Sequence, residues 1–204
     1  SQDVAEVIRK RLLAKNERGV TQLTAVYERE RNNFKTLFDF ADGAQTYKNF
    51  RGRDHFIGSY PFIPYQFELF QKSIESLSLH NAFEGKHSSI GERSMLGVFQ
   101  QVAVQIGNFE VGQLATFDLM FEGIRTTLLT QVQGAILTAE KNLHDPLAVR
   151  VLKALFLVKY VKEFKATLRN MTVLMLDSFE ADVQALRRRL QEALNLLEQQ
   201  TYVQ

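Results

Sequence analysis

Apolar residues recur every three or four positions along most of this chain. Val4, Val7, Ile8 and Leu12 share one helical face, and Asp3 is placed to cap that helix. Leu23, Val26, Tyr27, Phe34, Leu37 and Phe38 carry the same period from Val20 to Phe40, which predicts a second helix. Between 41 and 63 the period lapses and Gly43, Gly52, Gly58 and Pro61 punctuate the chain, with Pro64 just beyond, so an irregular connector is expected. Pro64 suits the first turn of a helix, where its missing N–H costs nothing. The spacing predicts that helix from about Pro64 to Ser78, with Phe67, Phe70, Ile74 and Leu77 inward.

A polar loop at 84–89 leads into Ser89-Ile90-Gly91-Glu92, which has the spacing of a capping box. The helix it opens carries Met95, Leu96, Phe99, Val102, Ala103 and Ile106 inward and is broken by Gly107, Asn108 and Gly112. A long helical pattern follows from about Leu114 to Leu143. Asp145-Pro146 is the clearest start signal in the chain: Asp caps, Pro takes the first position, and Leu147, Val151, Leu155 and Val158 follow. The β-branched content of 149–161 leaves a strand as the alternative, against which the length argues. Thr167 is expected to cap Leu168–Leu176, and Asp177 with Glu180 repeats the capping-box spacing. Val183, Leu186, Leu190, Ala193 and Leu197 form a seam for one partner, and 199–203 turns strand-like. The reading is all-α in two parts, 1–110 and 111–204, meeting near Asn108–Gln113.

Composition narrows the chemistry. The 204 residues include 25 Lys and Arg against 23 Asp and Glu, which excludes a strongly basic nucleic-acid tail or an acidic tail. Without cysteine there is no disulfide, thiol nucleophile or thiolate-held metal. The longest mostly apolar stretch, Val149–Val161, is interrupted by Arg150, Lys153 and Lys159, and it falls short of the ~20 residues a spanning helix needs. No secretory leader opens the chain, so a cytoplasmic protein with no membrane partner is expected. Position 1 is Ser, which leaves two explanations: a piece of a longer protein, or a tagged or processed full-length chain.

No glycine-lysine phosphate loop, G-x-G-x-x-G or G-x-S-x-G elbow occurs. His55, His80, His87 and His144 show no H-x-x-x-H spacing, so no metal site is expected. Residues 56–70 hold four Phe and two Tyr. They read either as a connector buried against helices or as a groove whose ring faces stack on a base or a partner. Arg93, just inside a capped helix start, is either a solvated residue or one that meets a phosphate. Arg187, Arg188 and Arg189 fan over ~200° of a helix at 3.6 residues per turn. They read as a solvated face or as nucleic-acid or partner contacts.

Two strings carry a family resemblance. YPFIPYQFELF at 60–70, followed by SIGERSMLGVFQ at 89–100, resembles the large P-loop ATPases of BREX bacteriophage-exclusion systems, the BrxC/PglY-like family. DVAEVIRKRLL at 3–13 and VLKALFLVKYV at 151–161 are similar to the same family, so the likeness runs over most of the chain. It implies an internal region that follows an AAA+ nucleotide-binding core: a helical lid-like bundle, then a winged-helix-like module over 146–203 that lacks its second wing strand. Arg93 is implied as the sensor arginine. ATP and Mg²⁺ would belong to the full-length parent, with none in this chain, which alone would lack ATPase activity. Implied partners are other BREX proteins, DNA, and further copies through the parent. The alternative is a nucleic-acid-binding, adaptor or scaffolding helical module with no ATPase role.

Overall fold

The computed structural model describes residues 3–43, 46–85 and 92–204, with side chains of the last stretch from Met95 onward. Their regular structure is helical: α1 (Val4–Leu12), α2 (Glu17–Glu30), α3 (Phe34–Leu37), α4 (Arg53–Ser59), α5 (Pro64–Leu79), α6 (Glu92–Gln105), α7 (Met120–Ile124), α8 (Thr130–Asn142), α9 (Pro146–Val158), α10 (Leu168–Leu174) and α11 (Val183–Gln199). Among the described residues, β pairing is limited to isolated bridges. The all-α expectation holds.

Local chemistry explains several of these starts. An Asp3 carboxylate oxygen accepts from the Ala5 N–H at 3.1 Å, and Asn16 does the same for Gly19 at 2.8 Å. Asp145 accepts from the N–H groups of Leu147 and Ala148 while Pro146 occupies the first turn of α9. The Thr167 hydroxyl accepts from the Asn170 N–H, as the sequence predicts, though α10 ends at Leu174. Both halves of the expected capping box at α6, Ser89 and the Glu92 side chain, lie outside the described residues.

The helix expected over 20–40 is divided. It stops after Glu30, turns at 31–33 and resumes as α3, which sets Phe34 and Phe38 against Phe50 and Phe179. The connector is also less irregular than expected, because α4 forms inside it. Phe56 and Ile57, both buried, anchor that short helix. The aromatic segment is interior. Phe56, Phe62 and Phe70 have no exposed surface, and Tyr65 is buried beside them. Phe34 stacks on Phe56 at 5.4 Å and Phe67 on Phe99 at 4.9 Å. Most ring faces are spent on one another, at roughly 1.5–3 kcal/mol per buried ring, which favours the buried connector over a base-stacking groove.

Further corrections fall in the second half. The pattern over 114–143 is not one helix but a 3₁₀ turn at Phe117–Leu119, then α7, a second 3₁₀ turn at Arg125–Thr127, and α8. The break is tertiary. The Glu84 N–H donates to the Thr127 carbonyl and the Leu129 N–H to the Ala82 carbonyl, so 127–129 is drawn out beside 82–84. Asp177 caps no helix. Its carbonyl accepts from the Leu114 N–H at 2.7 Å, and Asp182 instead caps α11 through Ala185. The strand-like ending is a turn: Thr201 has φ 62°, and the Tyr202 N–H donates to the Leu197 carbonyl.

Packing is continuous along the chain. α6 lies on α1 and α7, α5 and α11 lie on α9, and buried residues on both sides of 108–113 belong to one hydrophobic core. Buried Asn170 ties the two parts: its amide accepts from the Ala41 N–H at 2.9 Å and donates to the Ala41 and Lys165 carbonyls.

Candidate functional site: a basic cleft beside His55

Those of the residues singled out in the sequence whose side chains are described do not form one site. Arg93 is the second residue of α6, and its side chain lies outside the described residues. Arg187, Arg188 and Arg189 ride on α11, whose inner seam of Leu190, Ala193 and Leu197 packs toward α9 and α10. The expected fan is present: Arg188 and Arg189 are exposed, whereas Arg187 is half-buried with its Nε enclosed. His80 is exposed and stacks on Tyr160 at 3.7 Å, His144 is exposed, and His87 lies outside the described residues. Among the described residues no three His, Asp or Glu side chains are gathered to hold a metal ion. No described helix is long and apolar enough to cross a membrane.

A site that sequence reading missed lies between α1, the connector, α4 and α5. It is a cleft of about 500 Å³, with Arg9 on one wall, Lys48, Asn49 and Arg51 on another and His55 between them. Phe67 of α5 contributes an apolar wall. A second, shallower depression continues past Arg51 and His55 toward Arg53. The fold fixes this arrangement from beneath: Phe56 is buried one residue from His55, Phe50 packs edge-on to the imidazole, and Ile8 is buried next to Arg9.

Hydrogen-bond donors converge on His55. The Arg51 backbone N–H donates to Nδ1 at 3.0 Å, and Arg9 Nη1 lies 3.1 Å from Nε2. A neutral imidazole has one lone pair and one N–H, so it can accept from only one of these donors. Proton uptake would set a second ring N–H against donors. Burial, followed by the charges of Arg51, Arg9 and Lys48, holds the imidazole pKa down to about 4. His55 is therefore neutral at pH 7, in a positive field. Arg9, Lys48 and Arg51 form no ion pair among the described residues. Two carboxylates also line the cleft, Glu68 and Asp3, both engaged by partners of their own, Asp3 in capping α1.

The other charge cluster is built differently. Arg125 bonds Glu122 at 3.2 Å and also Glu140, while Lys153 bonds Glu122 at 2.7 Å and Glu140 at 3.3 Å. Two cations meet two carboxylates over the Phe121 ring. Burial alone would raise the Glu140 pKa, but hydrogen bonds and charge from Arg125 and Lys153 outweigh it and lower the pKa. This network clamps α7, α8 and α9 and pairs each of its charges, although the enclosed Arg125 Nε has no hydrogen-bond partner.

The cleft left no mark that sequence reading could use, because its residues come from three segments and share no motif. No family model matches this chain, and no solved structure matches it.

Proposed function

We propose that this chain is a non-catalytic helical module of a large AAA+-like P-loop ATPase of a BREX bacteriophage-defence system, coupling nucleotide state to engagement of a partner or DNA. The observation that carries the reading is the pair of strings YPFIPYQFELF at 60–70 and SIGERSMLGVFQ at 89–100 in one chain. The all-α architecture agrees with a lid-type bundle. In this reading α9, α10 and α11 are the three helices of a winged-helix-like module. ATP and Mg²⁺ bind the parent's core. Arg93, in the first turn of α6, delivers positive charge to the γ-phosphate, where it stabilises the transition state and couples hydrolysis to movement of the helices. Arg187, Arg188 and Arg189 are offered to DNA or to another BREX protein.

The test is ATP turnover in the full-length parent. Arg93→Ala is expected to reduce it at least tenfold with the helical content unchanged, whereas the isolated chain shows no turnover. Unchanged turnover in the variant, or turnover by the isolated chain that survives repurification and is lost with Arg93→Ala, overturns the sensor assignment.

A second reading, a nucleic-acid-binding or adaptor module with no ATPase role, is favoured by the unpaired cations of the cleft. Mobility-shift titration at two salt concentrations separates the two, since phosphate contacts release counterions and give a steep salt slope.

A further inference from the structure

Three cations in this chain point into the same space without carboxylate partners. Other cations among the described residues also lack an ion pair; what sets these three apart is that they line one cleft around one imidazole. Elsewhere Arg125, Arg150, Lys153 and Arg169 each reach an Asp or Glu. Arg9 of α1 and Lys48 and Arg51 of the connector do not, among the described residues, and they line one cleft.

We infer that the cleft formed by Arg9, Lys48, Asn49, Arg51 and His55 is a binding site for a phosphate-type oxyanion. The chemistry of the group fits the donors. A phosphate monoester or diester offers several acceptor oxygens and no obligatory donor. Arg9 and Arg51 are forked donors suited to such oxygens, Lys48 adds a point charge, and the Asn49 amide adds neutral N–H groups. The imidazole has a specific part. With Nδ1 accepting from the Arg51 backbone, Nε2 carries the ring proton and faces Arg9 at 3.1 Å, donor to donor. An oxygen beside this pair, with Arg9 moved off the ring axis, accepts from both. The cleft's volume of about 500 Å³ admits a phosphate with a substituent attached, and Phe67 supplies an apolar wall for that substituent. Phosphate in a nucleic-acid backbone and phosphate on a small molecule share this chemistry. The inference does not depend on the ATPase reading, because Arg93 and the parent's nucleotide core take no part in it.

The experiment uses this chain, with inorganic pyrophosphate as the small-molecule probe and a twelve-nucleotide single-stranded DNA as the polymer probe. Binding is followed by calorimetry and by the His55 ring resonances in NMR. The expected result is saturable binding of at least one probe. Lys48→Gln with Arg51→Gln should weaken it at least tenfold, and Arg188→Gln with Arg189→Gln should change it less than twofold. Binding should also raise the pH at which His55 titrates, because an anion beside it offsets Arg9, Arg51, Lys48 and the burial, with Asp3 and Glu68 as the facing carboxylates. DNA binding with a salt slope reduced in the cleft variant identifies backbone phosphate as the ligand; pyrophosphate binding without DNA binding identifies a small phosphorylated molecule. Either supports the site. Absence of binding by both probes overturns it, as does binding that the cleft variant leaves intact, or saturation that leaves His55 unmoved. Lys48 and Arg51 are exposed, so their replacement spares the fold, and Arg9→Gln is an independent second variant.

Discussion

The α7–α8–α9 network and the cleft beside His55 use the same side-chain types to opposite ends. In the network, Arg125 and Lys153 each touch Glu122 and Glu140, and the Lys153 side chain is only 13% exposed. In the cleft, Arg9, Lys48 and Arg51 share an imidazole that can satisfy one donor, and the charges acting on it are positive. A matched set is drawn inward and holds helices together. An unmatched set stays at the surface, where a ligand can supply the missing sign. Cation density along the chain therefore does not by itself locate binding, and convergence on one cleft is the better guide: the most conspicuous basic run, Arg187–Arg189, fans round its helix, with Arg187 half-buried.

The contrast breaks first, and by the largest amount, if the network is not structural. Lys153→Ala leaves Glu122 and Glu140 facing each other with Arg125 alone between them. The expected loss is about 3 kcal/mol, the low end for removing one partner from a buried ionic set, since these side chains keep some exposure. Urea unfolding measures it, and oxyanion binding at the cleft should be unaltered. A loss under about 0.5 kcal/mol would make the network a surface feature.

Next in size is Gly123→Ala. A Cβ at Gly123 would lie 2.6 Å from a Val98 methyl, where α7 is pressed on α6. Overpacking of this kind costs about 2 kcal/mol. Thermal unfolding should show the loss, and Val98→Ala added to it should recover part. This sharpens the comparison, because it asks whether the paired region is held by packing as well as by charge.

What could be read from the sequence follows the same division between local and long-range causes. Helix starts set by a neighbouring side chain were legible: Asp3, Asp145 with Pro146, and Thr167. The inward faces of α5, α6, α9 and α11 were legible from their period. The break at 125–129 was not, because it depends on hydrogen bonds to 82–84, some 45 residues earlier. Asp177 misled for the same reason, its carbonyl being held by Leu114. The cleft was the least legible feature: Arg9, Lys48 and His55 acquire meaning only when α1 and α4 are packed together.

Acid distinguishes the two charge sets more gently. Glu140 has its pKa lowered in the folded chain, so the network's contribution is present above the ordinary carboxylate range and is lost as pH falls through the folded value. The stability gap between the native chain and Lys153→Ala should accordingly narrow below about pH 4.5, the carboxyl's ordinary value. A gap of constant size from pH 7 to pH 3 would mean that the carboxylates do not act through their charge.

The smallest effect belongs to the cleft. At pH 7 Arg9→Gln should change stability by less than about 0.5 kcal/mol, since it removes a half-exposed cation without an ion pair. Its consequence lies at lower pH. His55 titrates at about 4 in the folded chain against 6.5 in its ordinary state. Between these values the unfolded chain takes up a proton that the folded chain refuses, so stability falls as pH drops from 6.5 toward 4. Burial is the larger cause and survives the substitution; the Arg9 charge does not. Arg9→Gln should therefore raise the His55 pKa part of the way toward 6.5 and soften the acid loss, so that near pH 5 the variant is the more stable chain relative to its own value at pH 7. NMR titration of the His55 ring reads the pKa directly. An unmoved titration would mean that Arg9 does not sense the imidazole, and the cleft would lose its claim to be one electrostatic unit.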